Sequence, residues 1–191
     1  MSFTHLFQNI QDIFTEYHAM TIGNEVVFLF DVDNTLLDND WVERDIRSHI
    51  ESKCGVQGRD RYIAIFEKLR ATLGYSDYLG ALQHYRSEEM CDTQLLVQMS
   101  LFLVDYPFAD RLYPSSINTI KHLSALGTTV ILSDGDVVFQ PRKIQRSGLW
   151  DAVGGRVLIY THKEQMLADV ERRYPVYHYI MVDDKLRSFH R

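Results

Sequence analysis

Four short runs of mostly apolar residues constrain the fold of this chain more than any other feature of its sequence. The runs are residues 26–30, 129–132, 156–160 and 179–182. A strand with one face in water alternates apolar and polar residues, whereas a strand buried on both faces is apolar throughout. Strands that alternate with helices along a chain are typical of a parallel sheet covered on both faces. We therefore predict an α/β fold built on a doubly wound parallel sheet.

Helical patterns lie between these runs. Apolar residues at helical spacing follow Ser115 and Ser116, either of which can cap a helix N-terminus, and Gly127 suits a left-handed C-terminal stop. A second helix is predicted over residues 163–173. Residues 3–17 have the spacing of an amphipathic helix, which we expect to pack against the protein's own core.

One region interrupts the alternation. Between about residues 39 and 106 no buried-strand run occurs, and apolar residues recur at helical spacing instead, in Trp41/Val42/Ile46/Ile50, Tyr62/Ile63/Phe66/Leu69/Leu73 and Leu95/Leu96/Met99/Leu103. A segment of this length is too long for a loop within a compact domain. We predict an all-helical insertion over residues 39–106, in a core formed by residues 1–38 and 107–191.

The net charge and the number of cysteines indicate which binding partners and which cellular compartment to expect. Twenty Lys and Arg against 26 Asp and Glu give a net charge of −6, which argues against non-specific binding to nucleic acid. Two cysteines are too few for a secreted disulfide scaffold. No apolar stretch has the length of a membrane span, and the first 20 residues do not resemble a signal peptide. We expect a cytoplasmic protein without nucleic-acid or membrane partners, in an oligomeric state that the sequence leaves open.

Polar residues follow three of the four runs, at the point where each predicted strand ends. They are Asp31 and Asp33 after the first run, Ser133 and Asp134 after the second, and Asp183 and Asp184 after the fourth, with Lys163 between the third run and the fourth. The carboxyl ends of parallel strands meet at one edge of the sheet, where open α/β sheets bind their ligands. We therefore expect these side chains to form one site.

The residue types at this edge suit the transfer of a phosphoryl group. Carboxylates on two strands, such as Asp31 and Asp183, supply the oxygen ligands that Mg²⁺ prefers. Asp31 could attack phosphorus as a covalent nucleophile, while Asp33 protonates the leaving group and later activates water. Ser133 and Lys163 could hold the phosphoryl oxygens and neutralise the charge that develops on them.

Taken together, these residues resemble the four motifs of the haloacid dehalogenase superfamily of hydrolases. Residues 31–38 match the first motif, Ser133 the second, Lys163 the third, and Asp183 with Asp184 the fourth. The resemblance implies a Rossmann-like core, Asp31 as the nucleophile and Asp33 as the general acid and base. The implied metal ligands are Asp31, Asp33 (through its backbone carbonyl), Asp183 and Asp184, and the implied substrate-binding residues are Ser133, Asp134 and Lys163.

The third motif has a second candidate in Lys143. We prefer Lys163 because it lies between the third and fourth strands, at the start of a helix. Lys143 is predicted to lie on the helix that follows the second strand.

The resemblance also implies a function for the inserted helices. They lie where the superfamily has its C1-type cap, which usually accompanies small soluble substrates. We expect a Mg²⁺-dependent phosphatase that acts on a small phosphorylated metabolite. A 2-haloacid dehalogenase, a phosphonate hydrolase and a non-catalytic phosphate-binding protein of the same fold are the alternatives.

The C-terminal end of the core departs from the family pattern. Asp183 is followed by eight residues, whereas family cores usually continue with a helix and a fifth strand beside the fourth. We therefore expect the fourth strand to be an edge of the sheet, with the C-terminal edge strand of the core missing.

Overall fold

The computed structural model describes residues 26–89 and 92–185. Its strands are β1 (Val26–Phe30), β2 (Thr128–Asp134), β3 (Val157–Tyr160) and β4 (His178–Val182). Its helices are α1 (Asn39–Leu73), α2 (Tyr78–Glu89), α3 (Thr93–Asp105), α4 (Ser116–Ser124), α5 (Phe139–Arg146), α6 (Leu149–Ala152) and α7 (Leu167–Arg173). Short 3₁₀ turns cover Phe108–Arg111 and Lys163–Gln165. The four strands that the apolar runs predicted are confirmed.

The four strands form one parallel sheet in the order β3-β2-β1-β4. Phe30 lies opposite both Ile131 and Val182, so the residues that follow these positions emerge at the same edge. The chain moves outward from β1 through β2 to β3 and then returns to the other side of β1. This reversal opens a crevice at the ends of β1 and β4, where such sheets bind ligands. Within the described chain β4 pairs with β1 alone and is an edge strand, as expected.

Both faces of the sheet are covered by helices. Alternate residues of a strand point to opposite faces, so each strand contributes side chains to both sides. Phe28 and Phe30 pack on one face with the helices α4, α5 and α6. Val27 and Leu29 pack on the other face with Val170 of α7. The predicted α/β, doubly wound architecture is therefore confirmed.

Three helices, α1 to α3, are inserted between β1 and β2. The first two predicted helical groups belong to one long helix, α1, which is kinked at Gly55, where φ is 70°. The helix α2 was not among the three groups that the sequence indicated. The division into a core of residues 1–38 and 107–191 and a cap of residues 39–106 stays a prediction.

Two details of the helix ends differ from expectation. The helix α4 begins at Ser116 as predicted, but neither serine caps it, and the Ser116 hydroxyl donates instead to the Leu36 carbonyl at 2.8 Å. Gly127 is not left-handed: a Cβ there would lie 2.4 Å from the Val26 carbonyl oxygen, so close approach to β1 requires the glycine. The predicted helix over residues 3–17 lies outside the described residues.

The helix α7 is tied to the end of β3, next to Lys163. The Tyr160 hydroxyl donates to Asp169 at 2.5 Å, and Arg173 donates to the same carboxylate at 2.7 Å. These hydrogen bonds, of which the one from Tyr160 has the largest effect, lower the pKa of Asp169 from 3.8 to about 2.

We expect Tyr160→Phe to raise the pKa of Asp169, because the strongest of these hydrogen bonds is lost. A carboxylate whose pKa is lowered on folding stabilises the fold above its unfolded pKa, here 3.8, and loses that contribution as pH falls toward about 2. The stability difference between wild type and variant should therefore shrink below pH 3.8. Carboxyl NMR titration measures the shift, and an unchanged Asp169 pKa would contradict it.

Within residues 26–89 and 92–185, none of the helices combines the length and the apolar character needed to cross a membrane.

Candidate active site

The loop after β1 begins the site and also starts the inserted helices. The amides of Leu36 and Leu37 donate to the Val32 carbonyl, which folds the loop back tightly. Asn34 adopts a left-handed conformation with φ 61°, which asparagine tolerates better than most residues. Its side-chain oxygen accepts from the Asn39 amide at 2.9 Å, and Asp38 caps α1 through the Trp41 amide at 2.8 Å. The helix start therefore uses Asn34 and Asp38, not the two predicted catalytic aspartates.

Lys163 lies between two of the predicted acidic residues. Its Nζ donates to Asp31 Oδ1 at 2.5 Å and to Asp183 Oδ2 at 2.9 Å. Lys163 is fully buried, and Asp31 is 7% exposed. The side chain of Lys163 thus joins the turn after β3 to the ends of β1 and β4, which lie at the same edge of the parallel sheet.

Asp31, Asp183 and Asp184 are close enough to share a cation. One carboxylate oxygen from each lies within 4.8 Å of the other two. Burial raises the pKa of Asp31 to about 6, against the opposing effect of Lys163. Burial also raises the pKa of Asp184. Three clustered carboxylate oxygens are ligands that suit a hard cation, and these residues therefore fit Mg²⁺. The metal-binding role of the Asp33 carbonyl stays a prediction.

The second strand places Ser133 and Asp134 beside this group. Ser133 is 1% exposed, and its hydroxyl accepts from the Gln140 side chain at 2.8 Å. Asp134 Oδ1 accepts from the Lys163 backbone amide at 2.6 Å, so this carboxylate holds the turn that carries the lysine. Substrate binding by Ser133 and Asp134 stays a prediction.

Thr35 links the first motif to the fourth, a contact that the sequence analysis did not anticipate. Its hydroxyl donates to Asp31 Oδ2 at 3.3 Å and accepts from the Asp184 amide at 2.9 Å. The residue fixes the orientation of the Asp31 carboxylate against the loop that follows β4.

Although the sequence favoured Lys163 for the third motif, the second candidate, Lys143, also reaches the site. It lies on α5 as predicted, but it is 1% exposed and donates to Asp33 Oδ1 at 2.7 Å. A second bond joins it to Asn39 Oδ1 at 2.9 Å. Its position four residues after the buried Phe139 is the signal that could have placed it on the inward face of α5.

The inserted helices reach the rim of the site. Tyr78, the first residue of α2, packs against Phe139 of α5 with ring centroids 4.6 Å apart and ring planes tilted by 39°. Gly74, at the end of α1, lies so close to His162 that a Cβ would be 2.7 Å from the imidazole. Residues between α1 and α2 therefore lie beside the turn that carries Lys163.

Comparisons with known proteins agree with this geometry. Residues 26–187 match the family model for haloacid dehalogenase-like hydrolases. A protein from Burkholderia xenovorans LB400, described as a haloacid dehalogenase-like hydrolase, has 64% sequence identity and a TM-score of 0.80 over 85% of this chain and 75% of its own. No curated protein sequence matches the chain.

Two more distant structures share the fold. A haloacid dehalogenase-like family hydrolase from Xanthomonas campestris has 20% identity and a TM-score of 0.63, over 86% of this chain and 75% of its own. The HAD-hydrolase YfnB from Bacillus subtilis, whose structure contains magnesium, has 16% identity and a TM-score of 0.56, over 83% of this chain and 78% of its own.

Proposed function

The chain belongs to the haloacid dehalogenase-like hydrolases, and from this premise we propose that it is a Mg²⁺-dependent phosphatase acting on a small phosphomonoester. One observation carries the proposal: Asp31, Asp183 and Asp184 bring carboxylate oxygens within 4.8 Å of one another. A hydrolase that replaces a halogen needs a carboxylate nucleophile but no metal, so the clustering of three carboxylates counts against that reaction. In a phosphatase with an aspartate nucleophile, a cation held by these carboxylates would offset the repulsion between the anionic phosphate and the anionic nucleophile.

In the first half of the reaction, an oxygen of Asp31 attacks phosphorus. The bond between phosphorus and the leaving oxygen breaks, and the proton of the Asp33 carboxyl passes to that oxygen. The products are an alcohol and a phosphoryl group bound to Asp31. Lys163 and Ser133 hold the phosphoryl oxygens, and Mg²⁺, when bound, neutralises part of the charge that develops on them.

In the second half, Asp33 acts as a base. It takes a proton from a water molecule, whose oxygen attacks phosphorus, and the bond to Asp31 breaks. Inorganic phosphate leaves, and both aspartates return to their starting states. Thr35 keeps the Asp31 carboxylate in the same orientation throughout, through the hydroxyl contact at 3.3 Å.

The inserted helices are, in this proposal, a C1-type cap over residues 39–106 that excludes water during the reaction. Their contacts with α5 and His162 at the rim of the site support this role. A cap restricts access, which favours a small phosphorylated metabolite as the substrate. The free Cys54 is consistent with a reducing cytoplasm, where we propose that the protein acts.

With Mg²⁺ present, the protein is expected to hydrolyse p-nitrophenyl phosphate, and excess EDTA should stop the reaction. Without the cation, the carboxylates of the site repel the phosphate. Adding Mg²⁺ at a concentration above that of EDTA should restore the rate. Release of nitrophenol, followed by absorbance, measures this. Turnover that survives EDTA would contradict the proposal.

Separate assays distinguish the alternative functions. Chloride release from 2-chloropropionate without metal would indicate a dehalogenase, and turnover of a phosphonate alone would indicate a phosphonate hydrolase. Tight binding of phosphate without turnover of any ester would indicate a binding protein. A panel of phosphorylated metabolites then identifies the substrate.

A further inference from the structure

A second buried lysine acts on the site from a different element than the first. Lys163 follows β3 and contacts the nucleophile, whereas Lys143 comes from α5 and contacts Asp33. Lys143 is 1% exposed, while the Asp33 side chain, in the loop that follows β1, is 31% exposed. The lysine thus holds one end of a carboxyl group whose other end is open to a substrate.

The two bonds of Lys143 define the direction of this carboxyl group. Its Nζ is 2.7 Å from Asp33 Oδ1 and 2.9 Å from Asn39 Oδ1. Asp33 Oδ2 has no hydrogen-bond partner among the residues that the structure describes. Asn39 is the first residue of α1, so the same ammonium ties Asp33 to the base of the inserted helices.

We propose that Lys143 is a positioning residue for the reaction, which holds Asp33 by Oδ1 so that Oδ2 presents its proton to the leaving oxygen. The inference rests on the proposed phosphatase function. Lys143 touches neither the phosphoryl group nor the nucleophile in this account. It acts through Asp33, and its loss lets the carboxyl group rotate away from the direction that proton transfer requires.

The proposal predicts that the need for Lys143 depends on the leaving group. Nitrophenolate is a stable anion and departs with little help from an acid, whereas phenolate departs more readily when a proton reaches its oxygen. The two esters, p-nitrophenyl phosphate and phenyl phosphate, differ little in shape. The value of kcat/KM covers the steps up to the release of the first product, so it isolates the half-reaction in which Asp33 donates.

The experiment compares kcat/KM for the two esters in the wild type and in Lys143→Met, with Mg²⁺ present. We expect the ratio of the nitrophenyl value to the phenyl value to rise by roughly tenfold or more, because general acid catalysis is lost where it is needed most. Asp33→Asn should raise the ratio in the same way. Lys163→Met should lower both values with little change in their ratio, since Lys163 contacts Asp31 rather than Asp33.

Two further variants keep the test decisive. Lys143→Leu also removes the donor to Asp33 and is expected to raise the ratio as well, should the methionine variant fail to fold. Lys121→Met, at an exposed position on α4, should leave both values unchanged. A wild-type ratio in a folded Lys143 variant would overturn the positioning role alone. A wild type that hydrolyses neither ester would overturn the proposed function itself.

Discussion

Asp31→Asn is expected to abolish the hydrolysis of p-nitrophenyl phosphate, with a fall in kcat of roughly 10⁴-fold or more, as for the loss of other covalent nucleophiles. The amide of asparagine cannot attack phosphorus to form the intermediate. Its oxygen also lacks the charge that a Mg²⁺ ligand supplies at this position. Release of nitrophenol measures the loss.

The lost activity should not come from unfolding. Burial raises the folded pKa of Asp31 to about 6, so its contribution to stability is present below its ordinary pKa of 3.8 and is lost as pH rises through 6. At pH 7 without metal, asparagine removes a buried charge and leaves Lys163 paired with Asp183. Asp40→Asn, at an exposed position on α1, is the matched control and should retain wild-type activity. Full activity in Asp31→Asn would exclude Asp31 as the nucleophile.

Lys163→Met is expected to destabilise the metal-free protein by about 3–5 kcal/mol at pH 7, the range found when one partner of a buried ion pair is removed. The substitution leaves Asp31 and Asp183 facing each other without the ammonium that lies 2.5 Å from one and 2.9 Å from the other. Urea unfolding in the presence of a chelator measures the change. The loss should shrink as pH falls, because protonated carboxyl groups need no counter-ion.

Mg²⁺ should restore more stability to Lys163→Met than to the wild type, because the cation replaces the missing positive charge between the carboxylates. The matched control is Lys121→Met, since Lys121 is exposed on α4, and its effect should stay within about 0.5 kcal/mol. Equal stability of Lys163→Met and the wild type without metal would show that this ammonium does not balance the two carboxylates.

The two central strands, β1 and β2, could be predicted from the sequence because they are buried on both faces. Residues 26–30 are apolar throughout, and the structure forms β1 over the same residues. The predicted strand ends then indicated which polar groups lie close together. In the structure Lys163 contacts both Asp31 and Asp183. These predictions needed only local periodicity and the rule that ligands bind where parallel strands end.

The remaining parts of the site depend on tertiary contacts. Lys143 lies 110 positions from its partner Asp33, and no local pattern joins them. Thr35 contacts Asp184 across 149 positions. The sequence indicated that Gly127 ends a helix, but the glycine is required because the backbone of a neighbouring strand leaves no room for a side chain. Asp134 is itself a predicted substrate-binding residue, and the sequence did not indicate that its carboxylate also accepts from the Lys163 amide.

In the mechanism that we propose, Asp31 carries the phosphoryl group between the two halves of the reaction. The most direct test of this step mixes the protein with Mg²⁺ and p-nitrophenyl phosphate, quenches the reaction in acid within its first turnover, and maps the protein by mass spectrometry. We expect a phosphoryl group on Asp31, which should be absent when Mg²⁺ is withheld and absent in Asp31→Asn. Product formation with a phosphoryl group on another residue, or on none, would contradict it.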